Sequence, residues 1–223
     1  SHDDDVMLIT NSGRAIRFPA TDVRVFNSRA SVGVRGIRLN GDDTVVSMSI
    51  IRHFDATSEE RTAYLKMRRA MAGITDDAET DEDEAPADPN FSNERYVEMS
   101  AAENLILTIS SQGSGKLSSS HDYPVRGRGG MGVTAMDKAM RGGEIVASFP
   151  VEMDDQIMLA TSKGQSIRVP VEGISFRSRS AGGVKVFNTG KNEVVVSVAR
   201  IADQGDEDVD TEGSEDGGEA TSE

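Results

Sequence analysis

The 223-residue chain sets 38 Asp and Glu against 24 Lys and Arg, for a formal charge of −14, and it holds no cysteine. Its length allows one or two domains with a buried core, and the missing cysteines exclude a disulfide scaffold and thiolate metal sites. No apolar run is long enough to span a bilayer and the start resembles no signal segment, so the reading is a cytoplasmic protein without a membrane partner; the opening SHDDD lacks an initiator Met and reads as a fragment.

In chain order, the first apolar run is VMLIT (6–10), followed by the turn NSG and the alternating stretch Arg14-Ala15-Ile16-Arg17-Phe18, which predicts strand, tight turn, strand. Alternation places Arg17 on the face opposite Ile16, and Pro19 ends the strand. An arginine-glycine stretch, SRASVGV (28–34), leads into GVRGIRL (33–39), read as a strand with Arg35 and Arg38 facing outward, and a turn at Gly41 leads to the closing strand TVVSMSI (44–50). These residues form a first unit over 1–53.

Residues 54–98 break the pattern. Thr57 with Glu60 three positions later is a capping box, and Gly73 is a stop signal, so a helix is expected over about 57–72 with Tyr64, Leu65, Met67 and Met71 on its apolar side. Its cations Arg61, Lys66, Arg68 and Arg69 read as a solvated basic face, with contact to DNA as the alternative. An acidic linker follows, with ten acids against Arg95 over residues 76–98.

The strand pattern then returns twice. Over 99–151 it runs through LILTIS (105–110), the turn SQG, RGRGGMGV (126–133) and EIVASFPV (144–151). Over 152–202 it runs through IMLAT (157–161), SKG, Gln165 to Val169, Pro170, SRSAGGV (178–184), GGVKVFN (182–188), which points Lys185 outward, and EVVVSVARI (193–201). Residues 203–223 add ten acids and no base, a composition that self-repels and predicts a disordered tail. Without the two acidic runs and Arg95, 18 acids face 23 Lys and Arg, so the remainder is basic.

The three units align. Arg29, Arg128 and Arg179 share one position, Gly33, Gly132 and Gly183 a second, and Val34, Val133 and Val184 a third; Gly13 matches Gly164 and Arg17 matches Arg168. A period near 50 residues marks propeller-like arrays, in which each unit buries its apolar face only against a neighbour. The expected fold is all-β, three repeats of four-stranded blades with one helical and acidic insertion. Repetition also argues against reading RGRGGMGV as a unique phosphate cradle. GSGK (113–116) fails as a nucleotide loop because Ser110 and Leu117 stand where glycine and Ser/Thr are needed. DEDVD (206–210) fails as a calcium loop, with Thr211 and Gly217 in place of the required glycine and glutamate. His2, His53 and His121 form no ligand cluster, and no Ser/His/Asp set emerges.

With these residues in place, DDDVMLITNSGRAIRFPA (3–20), DDQIMLATSKGQSIRVPV (154–171) and RASVGVRGIRL (29–39) together resemble the C-terminal domain of the DNA gyrase A subunit. The resemblance covers all three repeats and the acidic tail, but not the insertion. It implies a β-pinwheel, of which these look like the last three blades, and a basic rim that wraps double-stranded DNA without reading its sequence. The family's hallmark box, Gln-Arg-Arg-Gly-Gly-Lys-Gly, is echoed by RGRGGMG (126–132), with Gly127 and Met131 departing from it, so Arg126 and Arg128 are assigned to an ordinary blade loop. The cations expected on the rim are Arg14, Arg17, Arg29, Arg35, Arg38, Lys116, Arg126, Arg128, Lys163, Arg168, Arg177, Arg179 and Lys185. The resemblance further implies partnership with the rest of the gyrase A subunit, and with the gyrase B subunit, in a heterotetramer that supercoils DNA at the expense of ATP. ATP and magnesium are expected on other regions, and no active site is expected here: Tyr64, Tyr96 and Tyr123 cannot be matched to a cleavage tyrosine. Two alternatives stay open, the related domain of topoisomerase IV and an unrelated propeller that binds protein.

Overall fold

In the computed structural model, which describes residues 3–74 and 85–202, the chain runs β1 (Asp5–Thr10), β2 (Arg14–Pro19), β3 (Val45–Ile51), α1 (Ser58–Met71), α2 (Asn93–Ala102), β4 (Leu105–Ser110), β5 (Ser114–Ser119), β6 (Val133–Thr134), α3 (Lys138–Arg141), β7 (Ile145–Val151), β8 (Gln156–Thr161), β9 (Ser166–Pro170), β10 (Val184–Lys185) and β11 (Val195–Ile201). The tail 203–223 and the most acidic part of the linker lie outside the described residues. Among the described residues no helix is long and apolar enough to cross a membrane.

Each repeat opens with an antiparallel hairpin: β1 with β2, β4 with β5 and β8 with β9, pairing Leu8 with Ile16, Thr108 with Lys116 and Leu159 with Ile167. The turn glycines Gly13, Gly113 and Gly164 hold φ of 83°, 77° and 79°, a left-handed backbone that other residues enter at a cost. The closing strands β3, β7 and β11 return antiparallel to β1, β4 and β8.

The fourth strand departs from the expected unit. Each sheet takes it from the following repeat: the first sheet is ordered β3-β1-β2-β6 and the second β10-β5-β4-β7. Thus β6 pairs with β2 through Arg14 and Thr134, and β10 with β5 through Val184 and Gly115. The third sheet, β11-β8-β9, has three strands, because no later repeat among the described residues supplies a fourth. For the same reason GVRGIRL (33–39) is not a strand. It lacks a preceding sheet edge, and instead Ile37 packs with Ile16 and Phe18 on its own sheet.

Because blades stack face to face, both faces of an inner sheet are buried. Met7, Ile9, Ala15 and Ile51 of the first blade meet Ile106, Tyr123, Ala135, Met136 and Ile145. On the second interface Leu107, Ile109 and Leu117 meet Ile157, Leu159, Val171, Ile174 and Val195. At the two ends the corresponding side chains are uncovered: Met48 and Ile50 on β3, Met158 on β8.

The insertion folds onto the second blade. In α1 the Thr57 hydroxyl accepts from Glu60 N–H while the Glu60 carboxylate accepts from Thr57 N–H. Where an acidic linker was expected as far as residue 98, α2 begins at Asn93, with the Ser92 hydroxyl accepting from Arg95 N–H. The two helices meet at Tyr64, which is fully buried, stacks on Tyr96 at 5.0 Å and abuts Met99 and Leu65. His121 seals this contact to the blade: its ring lies 5.0 Å from Tyr64, edge on, and its Nε2 sits 2.8 Å from the Met99 carbonyl.

Candidate nucleic-acid interface

The arginine-glycine loops are the joints where one repeat enters the sheet of its predecessor. A Cβ on Gly132 would lie 2.3 Å from the Ala15 carbonyl oxygen, and one on Gly183 would lie 2.7 Å from the backbone of Gly115, the residue equivalent to Ala15. A Cβ on Gly33, which has no predecessor among the described residues, meets nothing within 4 Å. Glycine recurs because two backbones cross there.

The aligned arginines belong to the same joints. Arg128 donates to the carbonyls of Asp22 and Arg35 in the first repeat, and Arg179 donates to those of Asp122 and Thr134 in the second, which are the equivalent positions. Each is a tie between neighbouring blades. Arg179 is buried, also pairs with the Asp122 carboxylate at 3.8 Å, and is thus not the exposed rim cation expected of it; Arg128 is half-buried. Arg29, the third member, is exposed and has no hydrogen-bond partner among the described residues.

Two further expected contacts are also internal. Arg17 does point away from Ile16, but that face is covered by the second blade: it is 3% exposed and donates to Asp5 Oδ2 at 2.7 Å and to the carbonyls of Ser120 and Arg52. Burial pulls its guanidinium below the ordinary arginine value, with Asp5 opposing. Lys116 is fully buried and donates to the carbonyls of Ser178, Arg179 and Ala181, fixing the third repeat's loop. An ammonium spent on three carbonyls is a structural clasp.

The remaining cations reach solvent. Arg35, Arg38 and Arg126 are exposed on loops that run side by side, joined by Gly129 N–H to Gly36 and Arg38 N–H to Gly130. Arg168 is exposed on β9, the counterpart of Arg17 on a face that no further blade covers among the described residues. Lys163 and Lys185 are exposed with their ammonium groups on the carbonyls of Lys191 and Gln112; Arg14 and Arg177 are half-buried, and Arg14 donates to Met131 and Gly132 carbonyls. Among the described residues none of Arg29, Arg35, Arg38, Arg126, Arg168 and Arg177 has a carboxylate within ion-pair distance. The loops therefore carry uncompensated positive charge and suit a polyanion. Arg24, exposed and 4.6 Å over the Phe26 ring, is a further solvent-facing cation of the first repeat that was absent from the sequence-based set.

A family model described as the DNA gyrase C-terminal domain, beta-propeller, matches residues 4–52, 104–152 and 155–202. Similar relatives include the DNA gyrase A subunit of Granulibacter bethesdensis, 43% identical over 225 residues, and that of Rickettsia bellii, 39% identical over 223. These alignments cover 95% and 96% of this chain and 24% of each relative, so the chain spans about a quarter of their length. Among solved structures, the C-terminal domain of DNA topoisomerase IV superposes with a TM-score of 0.62 at 19% identity, covering 90% of this chain and 47% of that one. The E. coli ParC C-terminal domain gives 0.52 at 12%, covering 90% and 63%. At such identities the likeness speaks to the fold.

Proposed function

The chain belongs to the DNA gyrase C-terminal domain, beta-propeller family, and from that premise we propose that it binds and wraps duplex DNA as part of the A subunit of a DNA gyrase. The observation that supports this most is the set of exposed arginines on the joint loops, Arg29, Arg35, Arg38 and Arg126, which have no carboxylate partner among the described residues. Each phosphate neutralised by such a cation releases condensed counterions, so binding is sequence-independent and steeply weakened by salt. Exposed cations on successive blades, Arg29, Arg35 and Arg38 on the first, Arg126 on the second and Arg168 on the third, offer phosphate contacts along the stack that a bending duplex follows.

On the same reading the chain serves a cytoplasmic heterotetramer with the gyrase B subunit, in which ATP and magnesium act on other regions. Wrapping presents a segment of the bound DNA to the strand-passage gate and gives supercoiling its direction. The topoisomerase IV alternative has weaker support, since those neighbours share the fold at 12% and 19% identity whereas the 43% and 39% relatives are gyrase subunits.

Duplex affinity measured over a range of salt tests the rim. The triple variant R29Q/R35Q/R38Q is expected to flatten the slope of log K against log salt by about 0.9 for each phosphate no longer neutralised. It should do so equally on unrelated sequences, and an unchanged slope refutes the assignment.

A further inference from the structure

The inserted helix α1 does more than cover His121. Between it and the joint loops lies a cleft of about 530 Å³ whose wall includes Arg14, Arg61, Arg69, Arg126 and Arg179, with Asp122 as the acid among its lining residues. Asp122 is engaged with Arg179, accepting from its backbone N–H at 2.6 Å. Arg61 and Arg126 have no carboxylate within ion-pair distance among the described residues; Arg61 donates instead to the Ser58 hydroxyl at 3.1 Å. Burial foremost, and then the charges of Arg17 and Arg126, pull Arg61 below its ordinary value. Arg61 of α1 and Arg126 of the joint loop thus lie near one another with no carboxylate partner among the described residues.

The wall also includes Ser180, which is half-buried. Planar guanidiniums with a hydroxyl donor match tetrahedral oxyanions, phosphate above all, whose oxygens accept paired N–H bonds.

We propose that the insertion creates a phosphate-binding cleft, in which Arg61 from α1 and Arg126 from the joint loop grip phosphoryl groups. The proposal rests on the DNA-wrapping reading only for one source of phosphate, the duplex backbone passing from the loops onto α1; a soluble oligophosphate is the other. The cleft is built only where the helical insertion packs on the second blade.

The test uses the intact chain and two probes, tripolyphosphate by titration calorimetry and duplex DNA by anisotropy. The variants are R61Q, R61Q/R126Q and R61K. The double variant is expected to weaken one or both probes by about tenfold or more, as for the removal of charge-assisted bonds, and R61K to retain most of the affinity. Loss with duplex assigns the backbone as the source, and loss with tripolyphosphate alone assigns a soluble oligophosphate. Unchanged affinity for both probes overturns the cleft even when the wild type binds DNA, leaving the wrapping reading intact. A wild type that binds no duplex overturns the wrapping reading, and tripolyphosphate alone then decides the cleft. Unfolding midpoints equal to wild type show that losses come from the site.

Discussion

Replacing the three aligned glycines one at a time separates a backbone joint from a ligand loop. At Gly132 alanine meets two penalties. The φ of 70° costs a side chain roughly 1 kcal/mol, and the new Cβ would stand 2.3 Å from the Ala15 oxygen and 2.8 Å from its carbon, backbone atoms that move only if β6 is displaced from β2. Overpacking of this kind costs about 1–3 kcal/mol. The expected total is about 3 kcal/mol, or roughly 6–12 °C in midpoint at 2–4 °C per kcal/mol for a chain of this size. G183A, with Met136 Cε at 2.6 Å and the Gly115 backbone at 2.7 Å, should also lose stability, by somewhat less because Gly183, unlike Gly132, does not hold a positive φ and so meets the overpacking penalty alone. G33A meets nothing within 4 Å and should stay within about 0.5 kcal/mol of wild type. Thermal unfolding followed by circular dichroism reads all three. Equal losses at Gly33 and Gly132, or none at Gly132, would refute the joint.

Two further expectations concern the charges buried between the first two blades. Asp5 is fully buried between Arg17 at 2.7 Å and His53 at 2.9 Å; D5N leaves the Arg17 guanidinium buried without its counterion and should cost about 3–5 kcal/mol in urea unfolding, and a loss under 1 kcal/mol would show the pair to be dispensable. The His53 value is raised chiefly by its hydrogen bond to Asp5, with burial opposing and Asp55 assisting. A folded value above the unfolded one means that the stabilisation is fully present below the unfolded value and is lost as pH rises through the folded one. H53Q should therefore lose more stability at mildly acidic than at mildly alkaline pH, and a pH-independent loss would contradict the linkage.

The repeat architecture was legible because the features that make a hairpin recur: an apolar run, a glycine with positive φ and an alternating return. Arg35 and Arg38 are exposed, as the alternation in GVRGIRL implied, but on a loop and not on the strand that was expected there. The burial of Arg17 was not legible, since alternation says which side of a strand a residue takes and says nothing about whether another blade covers that side; its counterpart Arg168 is exposed because none does among the described residues. Lys116, Arg128 and Arg179 show a related gap. A residue repeated at one place in every unit reports a repeated environment, and packing between units repeats as faithfully as a binding surface does. The swap of β6 and β10 into preceding sheets leaves no local mark, because each strand is two residues long. Helix α2 was hidden by the acidic composition around Ser92, while the contacts that hold it, Tyr64 with Tyr96 and His121 with Met99, join segments far apart in sequence.

Strand exchange also has a schedule. The edge of β2 is completed by a strand made much later, Arg14 and Thr134 standing 120 residues apart, whereas β5 meets β10 sooner, Ser114 and Lys185 being separated by 71 (185 − 114). In equilibrium terms the longer loop matters little, about 0.5 kcal/mol of closure entropy. On a ribosome adding roughly 5–20 residues per second, however, the first blade spends on the order of 5–20 s with an unpaired edge, a template for wrong partners. By inserting its helices ahead of the second blade, the chain lengthens the interval during which its nascent form depends on dilution or a chaperone to stay unmatched.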